Sequence, residues 1–220
     1  EVIDAVAEAA EGDSPVEAAR ATQIIAEARF LRGFHGLQAQ LHFRNPAYVD
    51  DTAYDVNDVE SSKVPNSGPI WDSIIADFTA AASVLPATQA QVGRATSWAA
   101  LAFLAKTHMY SGDAGLIAAA IPVMENIVNN GPFSLVDKYE DNHLVATRNN
   151  SESIFEIQYA ISSGDDQNSN KGVGLAHPYI SPWGCCGFWQ ATQDLVDVHH
   201  TNADGLPWLG GEWKTVHITN

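Results

Sequence analysis

Basic residues, cysteine and long apolar runs are scarce in this 220-residue chain, and each scarcity narrows what it can do. Eleven Lys and Arg stand against 27 Asp and Glu, a formal charge of −16, which repels phosphate backbones and anionic headgroups wherever charge steers an encounter. Nucleic acid is a poor partner. The two cysteines, Cys185 and Cys186, are neighbours; they cannot staple distant segments, they lack the C-x-x-C spacing of a redox or zinc site, and two thiols are expected rather than a strained small-ring bridge. No run approaches the ~20 apolar residues that span a bilayer, since the Ala-rich stretch from Trp98 to Leu104 is bounded by Arg94 and Lys106. The chain opens at Glu1 without a basic leader or lipobox, so any export or lipidation signal is expected to lie outside it. The G-x-S-x-G, H-E-x-x-H, G-x-G-x-x-G and P-loop signatures are absent as well, and no cofactor is expected.

What the chain does have is apolar material, 45% of its residues with only 17% charged, enough for a packed core. Ile24, Ala28, Leu31, Phe34, Leu37 and Leu41 recur at steps of three and four, predicting a helix from about Pro15 to His42 that Asn45-Pro46 brings to a stop. Pro46 to Pro69 has no period and is rich in Asp, Ser, Asn and Pro, a loop longer than a simple turn; Asp50, Asp51, Asp55 and Asp58 are read there as solvated charge rather than a metal cage. Trp71, Ile74, Ile75, Phe78, Ala82 and Leu85 predict a second helix ending at Pro86, with Trp71 on its core side. Trp98, Leu101, Ala105 and Met109 predict a third, capped by Thr96, with Trp98 in the core and Ser111-Gly112 at its exit. A fourth begins near Asp113, turns Ile117, Ala120, Ile121, Met124, Ile127 and Val128 inward, is kinked by Pro122 or has Pro122 at its true first turn, and stops at a left-handed Gly131. Leu104-Ala105, Gly112-Asp113 and Ala118 to Ala120 loosely echo tetratricopeptide spacing. Beyond Gly131 the alternation of Ser153 to Tyr159 predicts a half-buried strand.

The fold expected is mostly α, a tetratricopeptide-like set of helical hairpins over 1–131 followed by an extended, loop-rich segment over 132–220. The metal and acid candidates in that second part are weak. His199 and His200 are adjacent and seldom chelate one ion. Asp166, Asn168 and Asn170 alternate like the start of an EF-hand, but Lys171 and His177 stand where glycine and a bidentate carboxylate belong. Asp194 with Asp197, or Asp165 with Asp166, form pairs that a glycosidase could use and that solvent-facing charge explains equally well. The stronger constellation is aromatic: Tyr179, Trp183, Phe188 and Trp189, interrupted by Pro182, Gly184 and Gly187. Flat rings offer an apolar face to the C–H face of a pyranose while Asn168, Asn170 and Gln190 could bond its hydroxyls. The same rings could instead plug a core.

In order along the chain, Ala26-Glu27-Ala28-Arg29-Phe30-Leu31-Arg32, Val64-Pro65 with Trp71 to Phe78 and Leu85-Pro86, Gly93-Arg94-Ala95-Thr96 through Ala105-Lys106 and Ser111-Gly112-Asp113, Asn150-Ser151-Glu152-Ser153-Ile154-Phe155-Glu156-Ile157, and Thr192 to Asp197 with Asp204-Gly205 resemble the landmarks of the SusD/RagB family of outer-membrane nutrient-uptake lipoproteins. The chain departs from the family pattern at Phe34-His35-Gly36 and at Val198-His199-His200. The resemblance implies a non-catalytic protein held at the outer membrane by an N-terminal lipid absent from this chain, capturing oligosaccharides for a TonB-dependent, SusC-like transporter, with this chain a fragment covering the scaffold and the start of the ligand half. Two other classes stay open. A peptide-binding helical-repeat adaptor predicts several closely matching repeats where one loose one is found, and a glycosidase on a helical scaffold predicts turnover.

Overall fold

The computed structural model describes residues 2–11, 17–55 and 57–158. They form helices α1 (Val2–Glu11), α2 (Ala18–Phe43), α3 (Trp71–Val84), α4 (Ser97–Tyr110) and α5 (Ala114–Asn130), with single 3₁₀ turns at Val59–Ser62, Tyr139–Asn142 and Val145–Thr147. Each helix packs on the one before it, and α2 also touches α4. The mostly α, hairpin-by-hairpin architecture read from the sequence is what forms. Helix α1 was not anticipated: none of its residues is buried, so it carries little of the core signal that marks the others.

The helix boundaries follow from identifiable caps. Thr96 Oγ1 accepts the Ala99 N–H at 3.1 Å and opens α4. Gly112, at φ +73°, turns the chain out of α4, and Asp113 Oδ1 accepts the Leu116 N–H at 2.9 Å to open α5. These satisfy backbone donors that have no partner inside the helix. Pro122 sits in the interior of α5 rather than at its first turn. Gly131 is not left-handed: it is extended, at φ −72° and ψ 155°. Its glycine is required for space, since a Cβ there would lie 2.4 Å from the Ile127 carbonyl oxygen and 2.9 Å from the Phe133 ring.

On α2 the buried line is Ala26, Phe30, Gly33, Leu37 and Gln40; of the expected line through Ile24, Ala28, Leu31, Phe34, Leu37 and Leu41, Leu37 is fully buried and Phe34 packs on the core, while Leu31 is 52% exposed and Leu41 is exposed as well. The line is rotated because α3 and Tyr48 approach the helix where side chains are missing. A Cβ on Gly33 would lie 3.2 Å from the Phe78 ring, and one on Gly36 would lie 2.9 Å from the Tyr48 ring. Counting apolar side chains overlooks glycines, yet here glycines mark the closest contact.

Phe30, Phe78, Phe103 and Phe155 form the centre of the core. Phe30 meets Phe78 and Phe103 edge-on at 5.7 Å and Phe155 at 5.1 Å, while Phe78 and Phe103 stack at 5.6 Å. Such offset and edge-on pairs add to the burial of the rings themselves. Trp71 packs against this core without being fully buried. Trp98 is also half-buried, its ring edge-on to Phe133 at 6.3 Å.

Two expectations fail in α5 and after it. Of the residues expected to face inward, only Ala120 is fully buried; Met124 and Ile127 are half-buried, while Ile117, Ile121 and Val128 are exposed, Val128 by 78%. Helix α5 packs on α4 alone among the described helices, so one narrow seam suffices. The stretch from Ser153 to Gln158 is extended but joins no ladder, and no strand forms among the described residues. Among its hydrogen bonds to the preceding chain are those of Asn149, whose N–H donates to Glu156 Oε1 at 2.9 Å and whose side-chain amide pairs with that of Gln158, while just ahead of it Ser134 and Ser151 bond each other. Phe155 nevertheless enters the helical core, and residues 1–158 make one compact unit.

Candidate functional site

The aromatic and polar residues singled out for ligand contact, Tyr179, Trp183, Phe188, Trp189, Gln190, Asn168 and Asn170, lie outside the described residues. So do Cys185, Cys186, His199, His200 and the carboxylate pairs of that segment. What the described unit offers is a polar cluster inside the helices and two concave surfaces beside it.

The cluster is built around Arg32. Its Nε and Nη2 donate to the two oxygens of Asp77 at 2.7 and 2.6 Å, and its Nη1 donates to Asp51 Oδ1 at 2.6 Å. The Tyr48 hydroxyl also donates to Asp77 Oδ2, and the guanidinium lies 5.6 Å from the Tyr48 ring centre. Asp77 is only 4% exposed, and a buried carboxylate is stable only when its lone pairs are taken. The hydrogen bonds that Arg32 donates to Asp77 hold its proton more firmly than usual, against the opposing effect of burial. Burial, reinforced by the bond to Asp77, pushes the Tyr48 hydroxyl well above its ordinary range, so it stays protonated and donating. Burial works to raise Asp51, but the Arg32 bond and the charges of Arg32 and Arg29 hold it below the usual carboxylate range.

The two concave surfaces flank this cluster. One is a cleft of about 400 Å³ between α1, α2 and the 46–69 loop, with Val2, Ile3, Leu31 and Val49 facing Asp50, Asp51 and Tyr54. The other is a groove of about 690 Å³ whose floor is Leu31, Phe34, Phe155 and Ile157 and whose rim carries His35, Gln91, Arg94 and Gln158. Rim charge is neutralised locally: Arg94 Nη1 bonds Glu27 Oε2 at 2.5 Å and its Nε bonds Gln91 Oε1 at 2.7 Å. The Gln158 and Asn149 amides bond each other reciprocally at 2.9 and 3.1 Å. An apolar floor with a neutral polar rim suits an uncharged ligand that has both apolar faces and hydroxyls.

The acidic loop is more than solvated charge. Asp50 accepts from Thr52 Oγ1, Thr52 N–H and Ala53 N–H; these bonds, the hydroxyl one first, hold its carboxyl below the usual carboxylate range. Asp55 and Asp58 cap turns of their own, and Asp51 ties the loop to α2. No grouping of three or more ligating side chains able to hold a metal occurs among the described residues. In the sequence the Arg32 cluster shows only as Gln23, Glu27, Arg29 and Arg32 falling off the apolar stripe of α2; nothing local points to Tyr48, Asp51 or Asp77.

No family model matches the chain. A SusD-like protein of Bacteroides ovatus is 31% identical over 166 residues, which cover 72% of this chain. This chain spans 30% of the length of that relative. A protein solved with a xylogluco-oligosaccharide shares 27% identity and a TM-score of 0.64, over 81% of this chain and 36% of its own. A SusD-like carbohydrate-binding protein from Bacteroides fragilis is 28% identical, with a TM-score of 0.56 over 72% of this chain and 31% of its own. Surface glycan-binding protein A from Bacteroides uniformis shares the fold at TM-score 0.60, with 22% identity over 72% and 35% of the two chains.

Proposed function

We propose, from the premise that this chain is SusD-like in sequence and in helical fold, that it belongs to a protein that captures oligosaccharides at the cell surface without altering them. In that reading it passes them to a TonB-dependent, SusC-like transporter and is held at the outer membrane by a lipid. The observation that carries it is the pairing of sequence and fold likeness with a structure solved around a xylogluco-oligosaccharide. Chemistry points the same way: a chain of formal charge −16 disfavours anionic ligands, and rings such as Tyr179, Trp183, Phe188 and Trp189, with Asn168, Asn170 and Gln190 near them in sequence, suit a neutral pyranose.

The test is isothermal titration calorimetry of the full-length protein to which this chain belongs with a panel of neutral oligosaccharides, xyloglucan, laminarin and starch fragments among them, paired with a reducing-sugar assay. Binding to at least one glycan without release of new reducing ends is expected, and a Trp183→Ala, Trp189→Ala double variant is expected to lose that binding. Turnover would establish a glycosidase instead. Indifference to every saccharide would overturn the reading.

A further inference from the structure

The connection between α2 and α3 meets the helices at its two ends and at one point between. Tyr48 and Ile70 pack on the core, and the Ile70 N–H donates to Gln40 Oε1 at 2.7 Å. From Val49 to Pro69 no described residue is buried. Among the described residues of that stretch, the hydrogen bonds are internal: Tyr54 N–H to Asp50, Asp55 N–H to Ser61 Oγ, Asp58 N–H to Asp55 and Lys63 to Glu60. The exception is Asp51, which reaches Arg32 at 2.6 Å and Arg29 at 3.6 Å. The same segment supplies Val49, Asp50, Asp51 and Tyr54 as one wall of the 400 Å³ cleft.

We propose that this segment is a strap latched to the scaffold through Asp51, paired with Arg32 at 2.6 Å and with Arg29 at 3.6 Å, and that releasing the latch lets the strap, with its cleft wall, swing away while the helices stay folded. Arg32 is suited to the task because releasing Asp51 does not orphan it: Asp77 still holds two of its nitrogens. The latch is also the weaker side of the clamp, since the Asp51 side chain is 22% exposed and that of Asp77 5%, and a half-exposed pair is screened by salt where a buried one is not. The strap is internally braced by its Asx turns and by Ser61, so it moves as a piece.

Lys63 provides the readout, because it is the one basic residue between Arg44 and Arg94 and lies in the strap. Tryptic cleavage after Lys63 is followed in the whole chain, wild type and Asp51→Asn, alongside thermal unfolding. A hydrogen bond between charged groups of this kind holds a local opening back by about tenfold, so Asp51→Asn is expected to speed cleavage after Lys63 by about that factor, while the variant keeps a cooperative thermal transition whose midpoint falls by no more than that one bond explains. Salt at 0.5 M, with rates normalised to a small peptide substrate, is expected to speed cleavage of the wild type and leave the variant's rate alone. Wild-type cleavage rates in Asp51→Asn would overturn the proposal. A variant that no longer folds cooperatively, or that is cut at Arg29, Arg32 or Lys106 within α2 and α4 as fast as after Lys63, would overturn it too, because the helices would then depend on the latch. Salt-insensitive cleavage of the wild type would do the same.

Discussion

His108 illustrates how a single residue links packing to solution conditions. It sits on α4, 8% exposed, and its Nδ1 has no hydrogen-bond partner among the described residues. Burial lowers its tendency to take a proton below the ordinary imidazole value of 6.5, only partly opposed by a bond to the Ala119 backbone. The unfolded chain therefore binds that proton more readily than the folded one, so stability is full above pH 6.5 and drains away as pH falls through that value. Urea midpoints measured at pH 7.5 and 5.0 should drop for the wild type and drop less for His108→Leu. Asp50 and Asp51 act in a different window: because both are depressed in the fold, their contribution is full at neutral pH and starts to drain once pH falls into the ordinary carboxylate range, where the unfolded chain takes up the protons first. Arg32 shows the limit of reading residues one at a time. Its position off the apolar stripe was plain in the sequence, but a guanidinium finds its carboxylates across 19 and 45 residues, and no local pattern encodes that distance.

At the scale of elements, four helices and the cap at Thr96 were legible because each announces itself locally, whereas the left-handed Gly131 expected at the end of α5 is extended instead. Thr96 and Asp113 are capping residues by chemistry, and Gly112 is the sort of residue a left-handed exit needs. Facing was less legible, because it depends on what stands opposite. Glycines rather than leucines mark the contact side of α2, and α5 has a single neighbour among the described helices, so half of its apolar residues stay outside. The alternation in Ser153 to Gln158 was real, but an extended segment becomes a strand only with a partner beside it. A clear contrast follows. Phe155→Ala, though placed in irregular chain, should cost about 3 kcal/mol because its ring meets Phe30, Phe34 and Phe103. Ile121→Glu, in the middle of a helix, should change stability by less than about 0.5 kcal/mol because that side chain is 51% exposed. Chemical denaturation of the two variants checks both.

For the whole molecule, the charge imbalance acts on every encounter at once. If the ligand is a neutral glycan, affinity should change little between 20 and 500 mM NaCl. Uronic-acid oligosaccharides of the same length should bind more weakly at the low-salt end and recover as salt rises; calorimetry across that range measures it. The helical scaffold could be read from ordered landmarks along the sequence. The ligand face could be read only as a type of chemistry, rings and amides in a glycine-rich stretch, because those side chains converge through chain positions no local rule fixes.

Phe155 also bears on how the chain reaches this state. Every helix needs mainly its predecessor, so the stack can zip up in the order of synthesis with short loops to close. The last aromatic to join Phe30 arrives far later, after α5 and an irregular crossing have already left the ribosome. A nascent chain halted before that point would hold a near-complete bundle with an unfilled hole at its centre, loose enough for chaperones to grip, and the arrival of that one ring would turn a molten assembly into a solid one.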